Sequence, residues 1–211
     1  MLKYILSLGL CFLSMPLFAE QFVAGQDYVV INIAENASHS AKPTTVTEFF
    51  SYGCPWCYRL ELSLNQWVKK QKGNISFNKV PVVFNKDWEY YAKAYFVAEV
   101  LGKNAQLNPT LFKAILTDKR QLNNEQAMIN FLTSQGIKTE VVESAFSHSP
   151  TIDIRMNYAK QQMAFYQINA VPAFIINNQF KTDLQMAKHE KRLIAILDFL
   201  VKKNTTSATN G

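Results

Sequence analysis

Residues 44 to 84 restrict the fold more than any other part of the chain. TTVTEFFS, Thr44 to Ser51, is a run of β-branched and aromatic residues that suits a buried central strand. From Cys57 the apolar positions Leu60, Leu64, Trp67 and Val68 recur at three- and four-residue steps, which predicts a helix from the cysteine pair to about Lys72, ended by Gly73. Ile75 to Phe84 then reads as a second strand. Strand, helix, strand in this order is the βαβ unit, and it favours a parallel pair within an α/β sheet.

The flanks extend this plan. Tyr28 to Ile33 is apolar and β-branched and reads as an earlier strand, separated from Thr44 by the polar loop Asn36 to Pro43. Between Asp87 and Ile168 the pattern turns helical: DWEYYAKAYFVAEVLG, NPTLFKAIL, NEQAMINFLTSQG, TEVVESAFS and TIDIRMNYAKQQMAFYQI follow one another with no strand among them. Strand character returns at Ala173 to Ile176 and, after an Asn177-Asn178 turn, at Gln179 to Thr182; a helix from Ala187 to about Lys203 follows. Strands on both sides of one helical block predict an α/β host, residues 20–86 and 169–203, with an all-helical subdomain, 87–168, inserted into it. The tail NTTSATNG, 204–211, has the composition of a disordered segment.

The first nineteen residues have the form of an export signal: a short basic start with Lys3, an apolar run from Tyr4 to Phe18, and a small residue, Ala19, after which cleavage is expected. The run is interrupted by Pro16 and is shorter than the roughly 20 apolar residues a membrane span needs. Export puts the mature chain in an oxidising compartment. The formal net charge of +6 would fall by one with Lys3, and the other lysines are scattered among acids. The short basic groups at Lys69 to Lys72 and Lys188 to Arg192 read as solvated helix faces, not as the concentrated basic surface that nucleic acid requires.

Three cysteines are present, and removal of the signal takes Cys11 with it. The isolated pair Cys54 and Cys57 could be a structural clip, a metal site or a redox centre. A bridge across so short a gap closes almost no loop and removes little unfolded-state entropy, which argues against a clip. A zinc site needs further ligands, whereas no second CxxC exists and His39, His148 and His189 are widely separated. The redox reading fits the local physics. Cys54 stands where a strand gives way to a helix, and the unpaired N–H groups and helix dipole there favour a thiolate. Pro55 fits the first helical position.

Helical phase assigns the two sulfurs different places. Cys57 shares the apolar face of Leu60 and Leu64 and should be shielded, while Cys54 should be exposed at the helix start. Trp56 falls on the side of Arg59 and Ser63, either as a local packing residue or as a contact for apolar substrate segments. Glu48 lies between Val46 and Phe50 on a strand that should be buried, and a buried acid needs a partner. Lys79, on the neighbouring predicted strand, could pair with it beneath the cysteines, with Glu48 exchanging a proton with Cys57 directly or through water; alternatively, one or both reach solvent at a strand end. Pro172, at the start of the apolar run in NAVPAFIIN, reads from the residues alone as an ordinary trans strand starter. Leu184 and Met186 could line an apolar groove or pack into the core.

Together, EFFSYGCPWC with Glu48 ahead of the pair, the NKV strand carrying Lys79, the helical insertion and VPAFIIN resemble the DsbA family of exported thiol–disulfide oxidoreductases, with a thioredoxin fold. The resemblance spans nearly the whole mature chain. It implies that Pro172 is cis and packs against Cys54 and Cys57, that Val171 is of the oxidase type, and that the peptide edge there hydrogen-bonds an extended substrate. It further implies clients that are exported proteins with reduced cysteines, a DsbB-like quinone-linked membrane reoxidant, and no cofactor beyond the cysteine pair. Typical members carry CPHC; Trp56 replaces that histidine here, which predicts a higher thiolate pKa and a weaker oxidant. Rival readings are an isomerase or reductase kept reduced, and a non-catalytic export chaperone.

Overall fold

In the computed structural model the described residues are 21–31, 43–71 and 73–207. The predicted export signal and His39, with most of the 36–43 loop, lie outside them. Five strands form one mixed sheet in the order β1-β5-β4-β2-β3: β1 Val29–Val30, β2 Thr44–Phe50, β3 Ile75–Pro81, β4 Ala173–Ile176 and β5 Phe180–Asp183. β2 pairs in parallel with β3 and antiparallel with β4, which also pairs antiparallel with β5. The long apolar strand is therefore central, as its composition requires.

The crossover from β2 to β3 is α1, Pro55–Lys70, which buries Cys57, Leu60, Leu64 and Trp67. Between β3 and β4 come α2 Lys86–Val100, α3 Asn104–Phe112, a π-helical turn Lys113–Thr117, α4 Glu125–Ser134, α5 Thr139–Ser147 and α6 Pro150–Phe165, with no strand among them. After β5 follow the short α7 Leu184–Ala187 and the long α8 Glu190–Ser207. The core has two parts. Leu60, Leu64 and Trp67 pack with Val46, Phe174 and Ile176 of the sheet against Leu193, Ile196, Leu197 and Leu200 of α8. Phe49, Phe50, Tyr52, Cys54 and Cys57 instead belong to the core shared with α2–α6. Each large apolar side chain so buried contributes about 1.5–3 kcal/mol.

Several boundaries differ from the sequence expectations. β3 ends at Pro81, so Val82 to Phe84 are not strand: its partner β2 stops at Phe50 and gives way to the turn before α1, leaving only the Val82 N–H to donate to the Phe50 carbonyl at 2.8 Å. β1 is reduced to two residues within the described part of the predicted Tyr28–Ile33 strand. α3 begins at Asn104 instead of Asn108, leaving Pro109 inside the helix; burial of Leu107 draws the extra turn into the core. The expected helix from Ala187 is broken. Asp183 caps α7 by accepting from the Met186 N–H at 2.8 Å, Lys188 then takes a φ of +67°, and His189 starts α8 by accepting from the Arg192 N–H through Nδ1 at 3.2 Å. α8 also runs to Ser207, into the segment expected to be disordered, because each residue added to an established helix gains a backbone hydrogen bond.

Candidate active site

Ser51 to Cys54 forms the turn that delivers the cysteines to α1. The Cys54 N–H donates to the Ser51 carbonyl at 3.0 Å, and the Ser51 hydroxyl accepts from the Gly53 N–H at 3.1 Å. Gly53 is required by close packing: a Cβ there would collide with the indole of Trp88, which α2 lays against the turn. Cys54 is the N-cap of α1, and Pro55 is the first helical residue. The Cys54 sulfur accepts the N–H of Cys57 at 3.2 Å, satisfying one of the free donors at the helix start.

The pair is present as free thiols, the reduced form of the site. The expected exposure of Cys54 is corrected: Cys54 is only 4% exposed, and Cys57 is fully buried. The covering comes from the loop before β4. The Cys54 sulfur lies 3.4 Å from the carbonyl oxygen of Val171, to which its S–H can donate, and the Val171–Pro172 peptide is cis, as the family resemblance implied. Cys57 is shielded as expected, but by the core shared with the inserted helices and not by the Leu60 and Leu64 cluster.

The two thiols are electrostatically distinct. The hydrogen bond with the Cys57 side chain lowers the Cys54 pKa, burial opposes it, and the N–H groups of Cys57 and Trp56 add to the lowering, so the net direction is down. Burial pushes Cys57 well above the ordinary thiol value, and the neighbouring Cys54 and Glu48 add to this.

Beneath the cysteines, Glu48 and Lys79 occupy matched positions of β2 and β3. Glu48 is completely buried, and its Oε2 stands 3.1 Å from the Lys79 ammonium. Neither Glu48 oxygen has a hydrogen-bond partner beyond that contact among the described residues. Burial raises the Glu48 pKa, Lys79 pulls it down and Glu61 pushes it up again, leaving it at about 7. Lys79 is held above its usual value; burial disfavours its charge, but Glu48 and Glu61 outweigh that. The ammonium also lies over the Phe50 ring at 4.7 Å.

Glu61 is one residue that sequence reasoning missed. It forms a short ion pair with Lys79 from one turn beyond Cys57 on α1, so the buried lysine serves two acids. The available signal was the i, i+4 spacing from Cys57, which places Glu61 over the strand that carries Lys79. Tyr52 and Asn108 were missed as well: the buried Tyr52 hydroxyl donates to the Asn108 side chain, fastening the cysteine turn to α3. Trp56 is half exposed, with the Arg59 guanidinium 4.7 Å from its ring centre, and Arg59 in turn lies 3.4 Å from Glu190 of α8. Leu184 lines the groove beside Trp56, Val171 and Pro172; Met186 does not. Among the described residues no three His, Cys, Asp or Glu side chains converge as a metal site would need. No helix among them is long and apolar enough to cross a membrane.

Comparison with known proteins agrees with this architecture. A family model described as Thioredoxin matches residues 38–196. The thiol:disulfide interchange protein DsbA of Burkholderia cepacia is 33% identical over 180 residues, covering 85% of this chain and 84% of that protein. DsbA of Azotobacter vinelandii is 30% identical over 162 residues, 77% and 75% of the two chains. The crystal structure of Pseudomonas aeruginosa DsbA superimposes with a TM-score of 0.79 at 25% identity, over 90% of this chain and 97% of that one. With a cysteine pair at a helix start beside a cis-proline loop, a thioredoxin-type sheet interrupted by helices and this degree of kinship, the chain belongs to the DsbA family of thiol:disulfide oxidoreductases.

Proposed function

We propose that the protein acts in the periplasm as a dithiol oxidase, introducing disulfides into exported proteins that arrive with reduced cysteines. The observation that carries this reading is the Cys54 sulfur at the N-cap of α1, accepting the Cys57 N–H at 3.2 Å, with its pKa lowered while that of Cys57 is raised. A stabilised Cys54 thiolate is a good leaving group and makes the Cys54–Cys57 disulfide easy to reduce.

In the forward reaction a substrate thiolate attacks Cys54 Sγ. The Cys54–Cys57 bond breaks, a substrate–Cys54 bond forms, and Cys57 leaves as a thiolate that takes up a proton. Glu48, with a pKa near 7, is the group suited to supply that proton, directly or through water, and Lys79 holds it in place. A second substrate thiolate then attacks the substrate sulfur of the mixed disulfide and expels Cys54 as a thiolate. Two substrate thiols have lost two electrons to the pair. Pro55 supports the helix start, Trp56 offers an apolar contact, and the Val171–Pro172 edge aligns an extended segment against Cys54. Reoxidation passes the two electrons and two protons to a quinone through a DsbB-like membrane protein, and no metal, nucleotide or flavin enters the cycle. Residues 1–19 act as the export signal, cleaved after Ala19.

Thiol trapping of the protein in the cell envelope tests the direction of the cycle. A mostly oxidised pair, with client maturation lost in Cys54→Ser, is the expected result; a mostly reduced pair would overturn it in favour of an isomerase or reductase.

A further inference from the structure

The groove beside Cys54 has a volume of about 650 Å³. It is lined by the apolar side chains of Trp56, Val171, Pro172 and Leu184 and, at one end, by residues of the corner between α7 and α8 that are contiguous in sequence, Lys188 to Lys191. Two acids reach the groove, and both are engaged within the protein. Asp183 accepts from the Met186 N–H as the cap of α7, and Glu190 pairs with Arg59. Lys188 and Lys191 also line it, and neither forms a salt bridge or a side-chain hydrogen bond among the described residues. Asp27 is within Coulombic range of Lys188, but it is already bound to Arg192 at 2.7 Å and to the Val23 N–H at 2.9 Å.

Two further features concentrate positive potential at this end. Lys188 adopts a φ of +67°, a backbone conformation that L-residues avoid, and its N–H closes α7 onto the Leu184 carbonyl at 2.9 Å. The turn therefore fixes the backbone from which this exposed lysine reaches the groove. The N-terminus of α8 opens at the same corner, and its dipole favours an anion there.

We infer that the groove selects substrate segments carrying a carboxylate a few residues from the reacting cysteine, with the intervening apolar side chain on Trp56 and Leu184. The inference rests on the oxidase reading of the site and names its substrate class. An extended segment advances about 3.3 Å per residue, so residues close to the cysteine fall along the groove. The two lysines supply attraction without requiring a buried charge, so the preference is modest and sensitive to salt.

Two measurements with synthetic peptides test this. Dithiol peptides of one sequence, with Asp, Asn or Lys a few residues from the reacting cysteine and an apolar residue between them, are oxidised by the oxidised protein in low and high salt. The Asp peptide should react about three- to tenfold faster than the Lys peptide in low salt, with the ratio collapsing in high salt. Unreactive peptides with Ser in place of Cys, titrated against the oxidised protein, should bind in the same order, and the order should vanish in the Lys188→Ala, Lys191→Ala double variant. Equal binding of the three Ser peptides, or a preference that survives in the double variant, would overturn the inference even if all dithiol peptides are oxidised. Failure to oxidise any dithiol peptide, with the binding order intact, would instead count against the oxidase reading alone.

Discussion

Glu48 and Lys79 face each other across β2 and β3, 3.1 Å apart, with the acid fully buried and the lysine nearly so. Two charged groups in such a place cost several kcal/mol in lost hydration, which only their mutual attraction and a second acid, Glu61, offset. That arrangement sets the Glu48 pKa near 7 and gives the site its own pH dependence.

The folded-state pKa of Glu48 is raised from 4.5 to about 7, so in this window the folded protein binds a proton that the unfolded chain has released. Stability contributed by the neutral acid is present at low pH and is lost as pH rises from about 4.5 through 7. Glu48→Gln removes this fall. Urea titrations should show the variant gaining on the wild type by roughly 2 kcal/mol between pH 4.5 and 8; a constant difference across that range would contradict the assignment.

Removing the cation has the opposite consequence. Lys79→Met leaves the fully buried Glu48, and Glu61 beside it, without their counter-charge, and at pH 8 should destabilise the protein by about 3 kcal/mol or more. The loss should shrink at pH 5, where Glu48 is neutral, and Glu48→Gln in the same chain should recover part of it at pH 8.

Cys54 should be alkylated by iodoacetamide well below the pH at which an ordinary thiol reacts, and Cys57 should resist throughout. Because the Cys57 side chain is the largest influence lowering the Cys54 pKa, Cys57→Ala should move the alkylation midpoint of Cys54 upward. An unchanged midpoint would place the stabilisation wholly on the helix terminus.

Trp56→His restores a group that can carry positive charge beside the thiolate. The Cys54 pKa should fall further, and the glutathione equilibrium should move about tenfold toward the reduced protein, both read from purified protein. No movement in either would show that the residue between the cysteines does not tune this site.

Gly53→Ala forces a methyl group into the Trp88 indole. Overpacking of this kind costs about 1–3 kcal/mol, and for a domain of this size thermal unfolding should drop by roughly 5 °C. Trp88→Ala in the same chain should relieve the clash; if Gly53→Ala alone unfolds like wild type, the close approach is not restrictive.

Much of this was written locally in the chain. Alternation and run length marked β2, α1 and the helical block, because strand and helix periods depend on neighbouring residues alone. The cysteine pair, its proline and its place at a helix start were equally local, and an acid inside the apolar strand signalled the buried pair with Lys79 before any geometry was known. Other features depend on which distant surfaces meet. The Val171 loop folds over Cys54 and buries it, although helical phase alone left that sulfur open to solvent. Glu61 becomes a partner of Lys79 only when α1 lies across β3. Gly53 is obligatory only because Trp88, thirty-five residues on, packs against it. Local order follows from backbone sterics and hydrophobic period, whereas exposure, charge pairing and close approach follow from long-range packing, which no single stretch of sequence encodes.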